Sequence, residues 1–116
     1  MAKYTFLHNP RCRKSREALA LALENGINPE IREYLKDPLN AKEVNELLNQ
    51  LNLKPEDLVR KTESDFKENF KGKSIKDDEW PEIFAKFPKL IERPILIKDG
   101  KKAVIGRPPE KILDLI

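Results

Sequence analysis

The stretch KYTFLHNPRCRKSREALALALENG, residues 3–26, decides how this chain is read. Lys3–His8 has the composition of a strand, with Tyr4, Thr5, Phe6 and Leu7 as its strand formers. Asn9-Pro10 ends it, because proline cannot donate to a ladder and biases the residue before it away from helix. From about Arg13 to Asn25 the pattern turns helical, with Ala18, Leu19, Ala22 and Leu23 on one face and Gly26 placed as a left-handed cap. Cys12 therefore falls at the start of a helix that follows a strand. Glu30–Leu35 reads as a second strand, and a strand–helix–strand unit favours a parallel pair.

The middle of the chain reads as helices. Asn40 with Glu43 three residues on forms a capping-box pattern, followed by Val44, Leu47, Leu48 and Leu51 at helical spacing. Pro55 suits the first turn of a short helix carrying Leu58 and Val59. Thr62 and Asp65 read as another cap ahead of Phe66 and Phe70. A helix from Asp77 or Asp78 carries Trp80, Ile83, Phe84 and Phe87 and is stopped by Pro88, since Pro81 is tolerated only near a helix start.

Strands return in the last third. Ile95–Lys98 and Lys101–Ile105 flank Asp99-Gly100, the signature of a two-residue antiparallel hairpin. Pro108-Pro109 then opens a short C-terminal helix through Ile112, Leu113 and Leu115. The expected architecture is α/β: a mixed four-stranded sheet in a single domain, residues 1–116, with a helical insertion over about 40–88.

With 39% hydrophobic and 37% charged residues, the composition is that of a folded chain with a heavily charged surface. The net charge of +3 is mild and its signs are interspersed; a nucleic-acid binder shows a clustered basic stripe, so none is expected. The apolar residues near the start stop too soon for a secretory segment, and no run reaches transmembrane length. One cysteine cannot close an internal disulfide, and a lone cysteine without a secretory signal fits a reducing cytoplasm. With one Cys and one His, a structural zinc site is excluded by inventory, and no metal is expected.

The chemistry concentrates in His8-Asn9-Pro10-Arg11-Cys12-Arg13-Lys14-Ser15-Arg16. Free backbone N–H groups and the positive end of the helix dipole favour an anion at a helix start, and favour thiolate over thiol. Arg13, Lys14 and Arg16 add positive charge nearby, and Ser15 can hydrogen-bond within the first turn. A lone cysteine is commonly a small core residue. A core position would not be bracketed by Pro10, Arg11, Arg13 and Lys14, so a reactive thiol is the reading adopted.

The pattern of His8-Asn9-Pro10, Cys12 and Ser15-Arg16 resembles the active-site loop of the arsenate reductase-like, glutaredoxin-coupled family. Three later blocks are similar to that family as well: Leu58-Val59-Arg60-Lys61, Leu90-Ile91-Glu92-Arg93-Pro94-Ile95, and Gly106-Arg107-Pro108-Pro109-Glu110 running into Ile112-Leu113-Asp114. The resemblance implies a thioredoxin-like fold with an inserted helical region. It also implies that Cys12 is the nucleophile, that Arg60, Arg93 and Arg107 bind the oxyanion, and that His8 and Ser15 support the cysteine. Pro94 is implied to be the cis-proline facing the site. Planar guanidinium forks suit a tetrahedral oxyanion because they bind it bidentately and keep their charge. A plain strand-end residue is the other reading of His8.

Reducing arsenate to arsenite takes two electrons, hence two thiols, and this chain has one. The resemblance then implies an external thiol, glutathione as co-substrate with glutaredoxin, no bound cofactor, and a monomer. Arg13 and Lys14 are bulky and basic where the best-known reductases carry small residues, which bears on the preferred anion. The chain also stops at Ile116, without the tail of longer reductases. Two other readings stay open at this point. One is a transcriptional regulator of the Spx type binding RNA polymerase, whose usual Cys-x-x-Cys switch is broken here by Ser15. The other is a non-catalytic module that binds glutathione or phosphate-like anions.

Overall fold

The computed structural model describes residues 2–116 and divides into two compact units. The chain up to Asp37 joins Arg93–Ile116 in the first, and Pro38–Glu92 forms the second. The segment expected as an insertion is thus a unit of its own, lying in sequence between the two halves of the sheet.

The first unit is α/β with a thioredoxin-like mixed sheet of four strands in the order β2-β1-β3-β4. Strand β1 (Tyr4–Leu7) pairs parallel with β2 (Glu30–Arg32) and antiparallel with β3 (Ile95–Lys98), which pairs antiparallel with β4 (Lys102–Ile105). Helix α1 (Arg13–Glu24) is the crossover between β1 and β2, and it packs against a C-terminal 3-10 helix, Pro109–Leu115. Phe6 and Leu96 from the sheet meet Ala18 and Ala22 from α1 and Ile112 from the C-terminal helix in a core with no exposure to solvent. Small residues on the buried face of α1 let that helix lie close to the sheet.

Gly106 marks the tightest approach in this core. A Cβ there would lie 3.0 Å from Pro94 Cγ, 3.1 Å from Ile112 Cγ2 and 3.4 Å from the Ala18 Cβ. Its N–H also donates to the Pro94 carbonyl at 2.8 Å, which fixes the backbone against movement. Gly106→Ala is expected to destabilise the fold by about 1–3 kcal/mol through overpacking. Denaturant midpoints would read this, and an unchanged midpoint would mean that the neighbours yield freely.

In the second unit α2 (Ala41–Leu51) begins with the full capping box. Glu43 N–H donates to Asn40 Oδ1 at 2.8 Å, and Asn40 N–H donates to Glu43 Oε1 at 3.1 Å. Short helices α3 (Pro55–Leu58) and α4 (Ser64–Asn69) follow. A 3-10 turn, Asp77–Glu79, leads into α5 (Trp80–Lys86), which packs on α2. Val44, Leu47, Leu58, Phe84, Leu90 and Ile91 are among the buried side chains of this unit, and a one-residue antiparallel bridge joins Val59 to Ile91.

Four local expectations are corrected. Strand β2 ends at Arg32 because the Glu33 carbonyl accepts the N–H groups of Lys36 and Asp37, which turns the chain. Thr62 caps nothing: Glu63 N–H bonds back to the Arg60 carbonyl, and Glu63 itself takes the N-cap place of α4. The β3–β4 loop has three residues, since Lys98 pairs with Lys102. Asp99 and Gly100, both at positive φ, still form a tight turn closed by Lys101 N–H on the Lys98 carbonyl, and Lys101 is the additional residue. The C-terminal helix is wound as 3-10 throughout.

Candidate active site

Sheet register assembles the site. Leu7 pairs with Ile95, and Ile95 with Ile105. The segment leaving β1, the Arg93-Pro94 pair entering β3, and Gly106-Arg107 leaving β4 therefore emerge at one end of the sheet. Cys12 stands there as the N-cap residue of α1, with extended backbone angles and no side-chain cap bond. Its N–H donates to the Asn9 carbonyl at 2.9 Å, and the Asn9 Oδ1 accepts the Arg11 N–H at 3.1 Å. Asn9 thus shapes the turn that presents the cysteine, a role the sequence signalled only through the Asn-Pro break.

His8 and Ser15 meet beneath this turn. His8 Nδ1 and Ser15 Oγ are 2.8 Å apart, and the Asn9 N–H donates to the same hydroxyl at 3.1 Å. Both side chains are buried. Burial is the main cause that holds the His8 imidazole below its ordinary value; Glu33 pulls it up and Arg16 pushes it down. A neutral ring can pair with the hydroxyl in either sense, donating from Nδ1 or accepting there. Ser15 ties the strand end to the first turn of α1 and so fixes where Cys12 points.

Arg93 and Arg107 reach the sulfur. Burial raises the Cys12 thiol, but a hydrogen bond and the positive charge from Arg93, with the backbone N–H groups of Ser15 and Lys14, outweigh it and leave the thiol below its ordinary value. Arg107 Nη2 lies 3.9 Å from Sγ, and its Nε donates to the Arg93 carbonyl at 2.8 Å, which anchors one guanidinium beside the other. The Arg93–Pro94 and Arg107–Pro108 peptides are both cis. The charges adjacent in sequence act elsewhere. Arg13 Nε pairs with Glu17 at 2.8 Å, Lys14 Nζ lies 3.8 Å from the same carboxylate, and Arg16 donates to the Pro10 carbonyl. Among the charged side chains near Cys12, Arg93 rather than the basic run around the cysteine acts on the thiol.

Arg60 belongs to the second unit. Its Nε lies 3.5 Å from Glu63 Oε1 and its Nη1 3.4 Å from Glu92 Oε1, while its N–H donates to the Leu90 carbonyl at 2.7 Å.

A thiol held down in this way stays ionised at a pH where a free thiol is protonated, and loses nucleophilicity only as pH falls through the lowered value. The midpoint of Cys12 alkylation against pH is therefore expected below that of a free thiol, and Arg93→Ala should move it up. A midpoint at or above the free-thiol value in the unsubstituted chain would refute this.

Among the described residues no group of three or more His, Cys, Asp or Glu could hold a metal ion, and no helix is long and apolar enough to cross a membrane. The model of the ArsC family matches residues 7–115. An uncharacterized protein of Escherichia coli K12, YfgD, is 42% identical over 111 residues, spanning 94% of this chain and 92% of that protein. An arsenate reductase of Neisseria meningitidis serogroup A is 38% identical over 97% of both. The solved structure of an arsenate reductase from Vibrio cholerae superposes with a TM-score of 0.93 at 40% identity, covering 98% of each chain.

Proposed function

This chain belongs to the ArsC family, and from that premise we propose that it is a cytoplasmic thiol-dependent oxidoreductase that reduces arsenate to arsenite through an adduct at Cys12. The observation that carries the reading is a thiol at the start of α1 held below its ordinary value by Arg93, with Arg107 anchored alongside. The Cys12 thiolate attacks arsenic; a sulfur–arsenic bond forms as an arsenic–oxygen bond breaks, and that oxygen leaves as water. Glutathione displaces a second oxygen in the same way. A glutaredoxin thiol then attacks the glutathione sulfur and forms a disulfide with it, and the electron pair of the broken sulfur–arsenic bond reduces As(V) to As(III). Hydrolysis of the remaining bond frees arsenite and restores Cys12. One chain suffices for every step.

Arg93 and Arg107 hold the oxyanion and offset the charge that builds up during attack. The family resemblance brings Arg60 into the same role. The test is a coupled assay of arsenite formation with glutathione and glutaredoxin, with Cys12→Ser as control. Arsenite formed only by the unsubstituted chain supports the proposal. No arsenite above background from that chain overturns it.

A further inference from the structure

Within the second unit, Val59, Phe66, Phe70, Ile75 and Trp80 line a cavity of about 120 Å³. Local bonding folds the chain round it. The N–H groups of Phe70 and Lys71 both donate to the Phe66 carbonyl, at 2.8 and 2.9 Å, which ends α4. The Lys73 N–H then turns back onto the Phe70 carbonyl at 3.0 Å. The Phe70 ring lies 6.2 Å from that of Trp80 and stands edge-on to Phe87 at 5.3 Å, so the aromatic wall is held in place. Phe66, Phe70 and Ile75 are only half-buried, which leaves apolar surface that the chain itself does not cover.

The polar side chains at this cavity are short of acceptors. Trp80 is buried, and its indole N–H has no acceptor in the protein. Buried donors are nearly always paired, so an orphan on a residue of the cavity wall calls for a partner from outside the chain. Lys61 and Lys73, both exposed, also line the cavity, and neither ammonium group is in an ion pair among the described residues. Glu56 is the carboxylate among the lining residues, so the rim carries two cations against one anion.

We propose that this cavity binds a small aromatic carboxylate, a single ring carrying one acid group. An apolar cavity of about 150 Å³ takes up benzene, so the space here suits one ring. Aromatic walls favour a ring over an aliphatic chain through offset and edge-on contacts. The carboxylate stays at the rim, in water and beside Lys61 and Lys73, so apolar surface is buried without the cost of burying a charge. The site is separate from the oxyanion site: its lining residues all belong to the second unit, whereas Cys12, Arg93 and Arg107 belong to the first.

Benzoate titrated against the full chain tests this through the emission of Trp80, the one tryptophan in the sequence. A saturable change is expected, in contrast to the linear quenching that random collisions give. Acetate, which lacks the ring, should give no saturable change, and benzylamine, with the charge reversed, should bind more weakly than benzoate. Lys61→Glu and Lys73→Glu should each weaken benzoate about fivefold and strengthen benzylamine, because an attraction at the rim becomes a repulsion. Circular dichroism confirms that these surface variants are folded. Arg93→Ala should leave the benzoate titration unchanged, since the oxyanion site is not involved. No saturable change with benzoate overturns the proposal. So do equal affinities for benzoate and benzylamine, lysine variants that bind benzoate as the parent does, or loss of benzoate binding in Arg93→Ala.

Discussion

Cys12→Ser is expected to bring arsenite formation down to the rate of glutathione and glutaredoxin alone, while the protein stays folded and still binds oxyanions. A serine hydroxyl is not ionised at neutral pH, and the environment that suffices for a thiol cannot make it so. The substitution is gentle structurally. Cys12 is the N-cap of α1 and makes no cap bond with its side chain, whereas serine is a favoured residue there. The variant should therefore be as stable as the parent, or more stable by about 0.5–1 kcal/mol. Thermal unfolding beside the activity assay separates the two effects. Substantial turnover by a folded Cys12→Ser chain would remove the thiol from the chemistry.

Arg93→Ala is expected to weaken sulfate, phosphate or arsenate binding by roughly ten- to a hundredfold. A hydrogen bond to a charged group contributes about 1.5–3 kcal/mol, and each 1.4 kcal/mol is a factor of ten. The same substitution removes the strongest influence that lowers the Cys12 thiol, so activity should fall further than affinity at neutral pH. Arg93→Lys should recover part of the binding, because an ammonium supplies charge without the planar fork. Arg107→Ala should follow the same direction, since its guanidinium is fixed against the Arg93 carbonyl. Lys101→Ala, on the β3–β4 loop, is the control and should change almost nothing. Titration at fixed ionic strength reads all four, and equal losses for the control and the arginines would mean only diffuse attraction.

Much of this was legible in the sequence because local signals and tertiary demands agree. The strand–break–helix pattern over residues 3–26 locates Cys12 at a helix start, and the capping box at Asn40 forms as its residues predict. Asp99-Gly100 marks its turn, but turn chemistry alone does not fix register: the pairing of Lys98 with Lys102 adds a residue that the dipeptide cannot announce. At Thr62 the side-chain pattern competes with a backbone turn from Arg60 to Glu63, and the backbone wins.

The wiring around Cys12 was not legible in the sequence. Arg13, Lys14 and Arg16 look like the source of the field on Cys12 because they are near in sequence. Glu17 and the Pro10 carbonyl hold their side chains instead. Arg93 is remote in sequence and becomes adjacent only because β3 runs antiparallel to β1, with Ile95 opposite Leu7. Likewise, nothing local links Ser15 to His8; the link follows from the crossover that brings α1 back over the end of β1.

The most direct measurement of the central claim is rapid-quench mass spectrometry of the chain mixed with arsenate and glutathione, before and after glutaredoxin is added. The account predicts an arsenic-bearing adduct localised to Cys12 that builds up without glutaredoxin and is consumed as arsenite appears once glutaredoxin is present. Arsenite forming at an undiminished rate while Cys12 is never modified would contradict it.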